Sequence, residues 1–151
     1  MSENSKFEYR SPKQIRILND QDMSDRENSK LYDLEDRTAL FAKQSRALVK
    51  ELPRTIGNIE DAKQFIRASA SVGANYIEAN DAIGKKDFVM KIKICRREAK
   101  ESGYWLGLLD VDNNLEPERQ RLAAEAKELM KISSGLFRIS NFVLRIFENA
   151  I

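Results

Sequence analysis

Histidine is absent from all 151 residues. That removes the side chain most often used as a general base near neutral pH and the commonest nitrogen ligand of metals. One cysteine, Cys95, stands alone. It has no histidine to activate it, no second thiol for an intrachain disulfide and no partner ligands for zinc, so a reduced, cytoplasmic chain is the expectation. Proline (3) and glycine (6) are scarce, which permits long uninterrupted helices. No apolar run reaches the length of about 18 residues needed to span a membrane, and MSENSKFEYRSPK lacks the apolar core of a secretion signal. Neither GxxxxGK[ST] nor GxGxxG occurs, and Asp110-Val111-Asp112 lacks the remaining ligands of a calcium loop. No enzymatic activity, cofactor or metal is expected.

What is present suits one helical domain. Charged residues make up 33% of the chain, with a net charge of only +2, so bulk charge does not announce a nucleic-acid partner. Residues 1–33 carry six basic and seven acidic side chains and little apolar periodicity, which predicts a flexible polar tail ahead of a bundle over 34–151. Within that tail, 7–9 and 15–18 are short apolar-rich pieces.

Four helices follow from the spacing. The first covers 34–52, with Leu34, Phe41 and Leu48 at steps of seven and Pro53 ending it. Asn58, with Asp61 three residues on, reads as the N-cap of a second helix over 59–82. Ile59, Ala62, Ile66, Ser69, Gly73 and Ile77 share one of its faces, with Phe65, Val72 and Tyr76 beside them. Gly73 in mid-helix costs roughly 1 kcal/mol relative to alanine and implies a close helix approach. The third helix, 86–109, holds a heptad: Phe88, Ile92, Cys95, Ala99, Ser102, Leu106 and Leu109 alternate steps of four and three. Beside it runs a second stripe of Ile94, Trp105 and Leu108.

The fourth helix, from Pro117 to about Asn149, repeats the pattern through Leu122, Ala126, Leu129, Ser133, Leu136, Ser140, Val143 and Phe147. Flanking stripes add Met130, Phe137 and Leu144 on one side and Ile132, Ile139 and Ile146 on the other. At 1.5 Å per residue it would reach roughly 50 Å, against roughly 36 Å for the second and third helices. Its last turns therefore overhang with apolar residues on nearly every side, which predicts a homo-oligomer.

Polar residues form two further patterns. Arg67, Ser71, Asn75 and Glu78 follow one another at steps of four, four and three along the second helix. Such a strip is either a ligand site or a hydrogen-bonded seam pairing with Arg96 or Arg97, and the pairing is favoured because half-buried charges are usually satisfied. Over 84–109 seven basic side chains face three acids, while 58–82 carries two basic against four acidic. Lys93, Arg96, Arg97 and Lys100 fall on one side of the third helix, and Lys43, Arg46, Lys50 and Arg54 sit at comparable steps near the first. In one subunit these are ordinary solvated faces. Repeated around a symmetric assembly they become a belt of positive potential able to hold a phosphate backbone.

The stretch RASASVGANYIEANDAIGKKDF, residues 67–88, resembles the 23S rRNA-intervening-sequence proteins, also called four-helix-bundle proteins. The family pattern RRA-x-S-x-x-AN-x-x-E, then a short loop and an aromatic on a new helix, is matched here by Ser71, Ala74, Asn75, Glu78 and Phe88. The segment RREAKESGYWL resembles one found in a subset of these proteins, and the similarity extends over about 34–150. Gly73 stands where members usually carry proline and Asn80 where they carry glycine, which bears on a kink in the second helix and on the turn after it. The resemblance implies an all-α, antiparallel up-down-up-down bundle assembling into a homopentamer. Relatives include accessory proteins of diversity-generating retroelements, so RNA or DNA and a reverse transcriptase are the partners it implies. Two functions follow as expectations: an oligomeric bundle binding structured RNA through the eight basic residues above, or a protein-interaction scaffold with no direct nucleic-acid role.

Overall fold

The computed structural model describes residues 34–149; the expected tail over 1–33 lies outside them. Four helices run in order: α1 (Leu34–Lys50), α2 (Ile56–Asn80), α3 (Lys85–Leu108) and α4 (Glu116–Asn149). Each packs against its neighbours in a cycle, α1 on α2, α2 on α3, α3 on α4 and α4 back on α1. The α1–α4 seam is the thinnest, and the backbones of α1 and α3 lie across the core from each other without close approach. They therefore occupy opposite corners of an antiparallel four-helix bundle with a long C-terminal helix.

The heptad of α3 turns wholly inward: Phe88, Ile92, Cys95, Ala99, Ser102, Leu106 and Leu109 are all buried. Phe41 and Leu48 of α1, Phe65 and Val72 of α2, and Leu122, Ala126 and Leu129 of α4 meet it in one core. Ala79, Phe88 and Ile92 form a smaller cluster near the α2–α3 turn. Small hydroxylated residues lie between the helices without an unmet donor. Ser45, Ser102 and Ser133 each donate to the carbonyl four residues earlier, at 2.8 Å, a bond that satisfies the hydroxyl inside its own helix.

The close approach expected at Gly73 is made by Thr38 of α1. A Cβ on Gly73 would stand 2.9 Å from the Thr38 hydroxyl oxygen, so the missing side chain lets α1 and α2 meet there.

Three expectations need correction. Helix α2 begins at Ile56, not 59, and its N-cap is Thr55, whose hydroxyl accepts the Asn58 N–H at 3.1 Å. Asn58 itself is buried and spends its side chain elsewhere. Of the expected α2 face, Ala62, Ser69 and Gly73 are buried together with the neighbouring Phe65 and Val72, whereas Ile59 and Ile77 at its two ends are 40% and 46% exposed. The reason is unequal packing: α2 contacts α3 more extensively than α1, so the bulky residues on the α3 side define the core. The stripe beside the α3 heptad is incomplete, since Leu108 is exposed while Ile94 and Trp105 are half-buried.

Burial along α4 stops at Ser133. Beyond it Leu136 and Phe137 pack on the smaller cluster, but Ile139, Phe142, Ile146 and Phe147 remain 46–66% exposed. The Lys85 ammonium lies 3.5 Å over the Phe147 ring, which sets the last turns of α4 beside the start of α3.

Candidate nucleic-acid interface

Because the heptad of α3 faces the core, residues one and two positions off it face outward. Lys93, Arg97 and Lys100 are exposed, and Arg96 is half-buried with its guanidinium 5.4 Å from the Phe137 ring centroid on α4. A planar cation at that distance from an aromatic face is held by the ring quadrupole. Arg97 is shared between two carboxylates of its own helix, Glu98 at 3.1 Å and Glu101 at 3.8 Å. Lys93 and Lys100 make no ion pair among the described residues.

All four cations border one open depression of about 650 Å³. Met90 and Ile94 of α3 and Met130 of α4 supply its apolar lining, and Ser134 completes it. Among the described residues no carboxylate lines it. The spacing of the charges was readable in the sequence. The depression was not, because it exists only where α4 brings Met130 and Ser134 alongside α3.

The basic residues near α1 lie elsewhere. Lys43, Arg46 and Lys50 are exposed on α1, with Arg46 donating to the Ala42 carbonyl at 3.3 Å. Arg54 is in the loop after the helix, which ends at Lys50. Since α1 and α3 stand at opposite corners, these residues and the α3 cations face away from each other and form two separate surfaces.

The polar strip of α2 is a seam of mixed character. Glu78 pairs with Lys91 of α3, not with Arg96 or Arg97. Lys91 comes one turn before Cys95 and so projects toward α2, whereas Arg96 and Arg97 point to α4 and to solvent. The hydrogen bond that Lys91 donates to Glu78 raises the Lys91 pKa above its ordinary value. Asn75 donates to the Ser71 carbonyl at 2.8 Å, and Arg67 is exposed with no ion pair among the described residues.

Two ties between elements carried no sequence signal. Arg37 of α1 clasps Glu125 of α4 through two bonds, 2.6 and 2.9 Å, and this pairing raises the Arg37 pKa. Asn80 donates to Glu35 at 2.7 Å, joining the end of α2 to the start of α1. Among the described residues no three His, Cys, Asp or Glu side chains gather to hold a metal ion, and no helix is long and apolar enough to cross a membrane.

The molecule is thus a small helical bundle with a cation-bordered depression on one corner. A family model described as 23S rRNA-intervening sequence protein matches residues 32–135, and the chain belongs to that family. Its fold is similar to a crystal structure from Bacteroides thetaiotaomicron VPI-5482, titled as a protein with unknown function from the S23 ribosomal protein family. The two share 26% identity with a TM-score of 0.60, over 70% of this chain and 95% of that one. No curated protein matches the chain.

Proposed function

We propose that this protein is a non-enzymatic, oligomeric bundle that binds structured RNA, with the α3 face as its principal contact and the Lys43, Arg46, Lys50 and Arg54 surface as a second one. The observation that carries this reading is the set of four cations around one depression with no carboxylate in its lining among the described residues. Phosphate contacts made by lysine and arginine release counterions and give salt-dependent affinity. The family name points to a ribosomal RNA context. The two basic surfaces of one subunit face apart, so one RNA reaches both only across neighbouring copies. The pentamer implied by the family resemblance would supply them. A cytoplasmic location accords with the buried, unpaired Cys95.

The test is RNA binding by the full-length protein across a salt series, with a ribosomal RNA fragment as probe. Affinity is expected to fall steeply with salt, and Lys93→Glu combined with Arg97→Glu is expected to weaken it further. Unchanged binding in that variant would remove the α3 face from the interface.

One observation favours a second reading, a scaffold or accessory subunit, for example of a reverse transcriptase. Ile139, Phe142, Ile146 and Phe147 form an apolar stretch on α4 too exposed for a bundle end, and such surfaces mark protein contacts. Deleting 1–33 separates the two: loss of a protein partner with RNA binding intact favours the scaffold.

A further inference from the structure

Resting on the reading that the α3 face contacts RNA, we propose that the depression between α3 and α4 receives an unpaired nucleotide, so that the protein grips single-stranded segments of a folded RNA and not its duplex arms. The depression has the volume of a small-molecule site and, like one, joins an apolar lining to a few placed polar groups. A surface that merely tracked duplex phosphates would need cations alone. Here the cations border Met90, Ile94 and Met130, an apolar lining that offers nothing to a phosphate and suits the face of a base.

The geometry also disfavours a duplex. The major groove of A-form RNA is too deep and narrow for side chains to read. Helix α3 does not protrude, being flanked by α2 and α4. Lys93 and Lys100 are seven residues apart, about 10 Å along the helix axis, so they place charge at both ends of a short segment. Neither is committed to a carboxylate among the described residues, so a phosphate there displaces no ion pair. Arg96 lies between them, its guanidinium already positioned against Phe137. Unpaired bases are commonly stacked on guanidinium planes and on aromatic rings.

The experiment measures fluorescence anisotropy of the full-length protein with a labelled oligouridine of about twelve nucleotides, a length within the range of single-strand sites, and with an RNA duplex of equal length. The single strand is expected to bind about tenfold tighter, the difference one well-stacked base supplies. Arg96→Lys keeps the charge and loses the plane, so it should weaken the single strand several-fold and leave the salt slope unchanged. Met90→Glu, at a 55% exposed position, should weaken the single strand more than the duplex, and circular dichroism will confirm that both variants fold. Equal affinity for the two RNAs with a silent Arg96→Lys would overturn this inference and leave the α3 face as a phosphate surface. Failure of both RNAs to bind would overturn the underlying reading as well.

Discussion

The side-chain amide of Asn58 makes a two-point pairing with the backbone of Asp110. Its oxygen accepts the Asp110 N–H at 2.8 Å, and its nitrogen donates to the Asp110 carbonyl at 2.9 Å. The same nitrogen donates to the Pro53 carbonyl at 2.9 Å. One buried side chain therefore fastens the loop entering α2 to the loop leaving α3, at the end of the bundle opposite the α2–α3 turn. Replacing Asn58 with alanine removes the side-chain partner of these part-buried backbone groups, whose exposure to water offsets some of the cost of about 1–3 kcal/mol for an unmet buried group. We expect Asn58→Ala to lower unfolding free energy by about 2–3 kcal/mol in urea titration. Asn58→Asp should be worse, since it sets a carboxylate against two carbonyl oxygens.

Gly73→Ala tests the helix approach. On propensity alone the change would stabilise α2 by about 1 kcal/mol. The new Cβ would stand 2.9 Å from the Thr38 hydroxyl oxygen and 3.3 Å from its Cβ. Turning aside would cost Thr38 the hydrogen bond that its single hydroxyl proton shares between the carbonyls of Leu34 and Glu35, at 2.8 and 3.0 Å. Overpacking of this kind costs about 1–3 kcal/mol, so the net effect should be destabilising. Thr38→Ala in the Gly73→Ala background should recover much of the loss, and a double-mutant cycle by thermal melting measures the coupling.

These two sites mark where the sequence was readable and where it was not. The α3 heptad was legible because a period of three and four is a local property of one helix, and all seven residues are buried. The small residue at 73 was legible as a close approach, though not Thr38 as its partner. Asn58 misled because a capping residue and a tertiary tie share the same chemistry. Asp110, the residue that decides between them, lies 52 positions away. The buried face of α2 was legible in Ala62, Ser69 and Gly73, all buried, while the exposure of Ile59 and Ile77 was not, because it depends on how far α1 and α3 cover the helix. In the candidate site, the cations were visible as a pattern, while the apolar lining depended on α4 coming alongside.

Cys95 gives a pH-dependent prediction. Its thiol is buried, 3.3 Å from the Val72 carbonyl and 3.4 Å from the Ser133 hydroxyl. Burial raises its pKa above the ordinary thiol value, with the Ser133 contact opposing part of the rise. A raised folded-state pKa means that the contribution is fully present below the unfolded thiol value and is lost as pH rises through the folded one. Stability should therefore decline on the alkaline side, and Cys95→Ala should reduce the decline relative to the unmodified chain. Ellman's reagent should label Cys95 only as fast as the bundle opens. Rapid stoichiometric labelling of the native protein would contradict the burial.

The end of α4 yields the prediction on assembly. Ile132, Ile139 and Ile146 recur every seven residues along one line of the helix. Ile132 is half-buried, while Ile139 and Ile146 are 46% and 50% exposed. Cover falls away along this line because it continues the side of α4 that α1 touches through Arg37 and Glu125, and the first turn of α1 is level with the end of α2 through the Glu35–Asn80 bond. Phe142, 66% exposed, stands beside the same line. Exposed apolar patches of this kind are characteristic of subunit contacts. We expect sedimentation velocity to show a multimer at micromolar concentration, and Phe142→Glu combined with Ile146→Glu to convert it to smaller species. Helical content should persist in that variant, since neither residue belongs to the buried core. A wild-type chain that sediments as a monomer would remove this surface as a self-contact and leave the two basic faces with no way to act on one RNA.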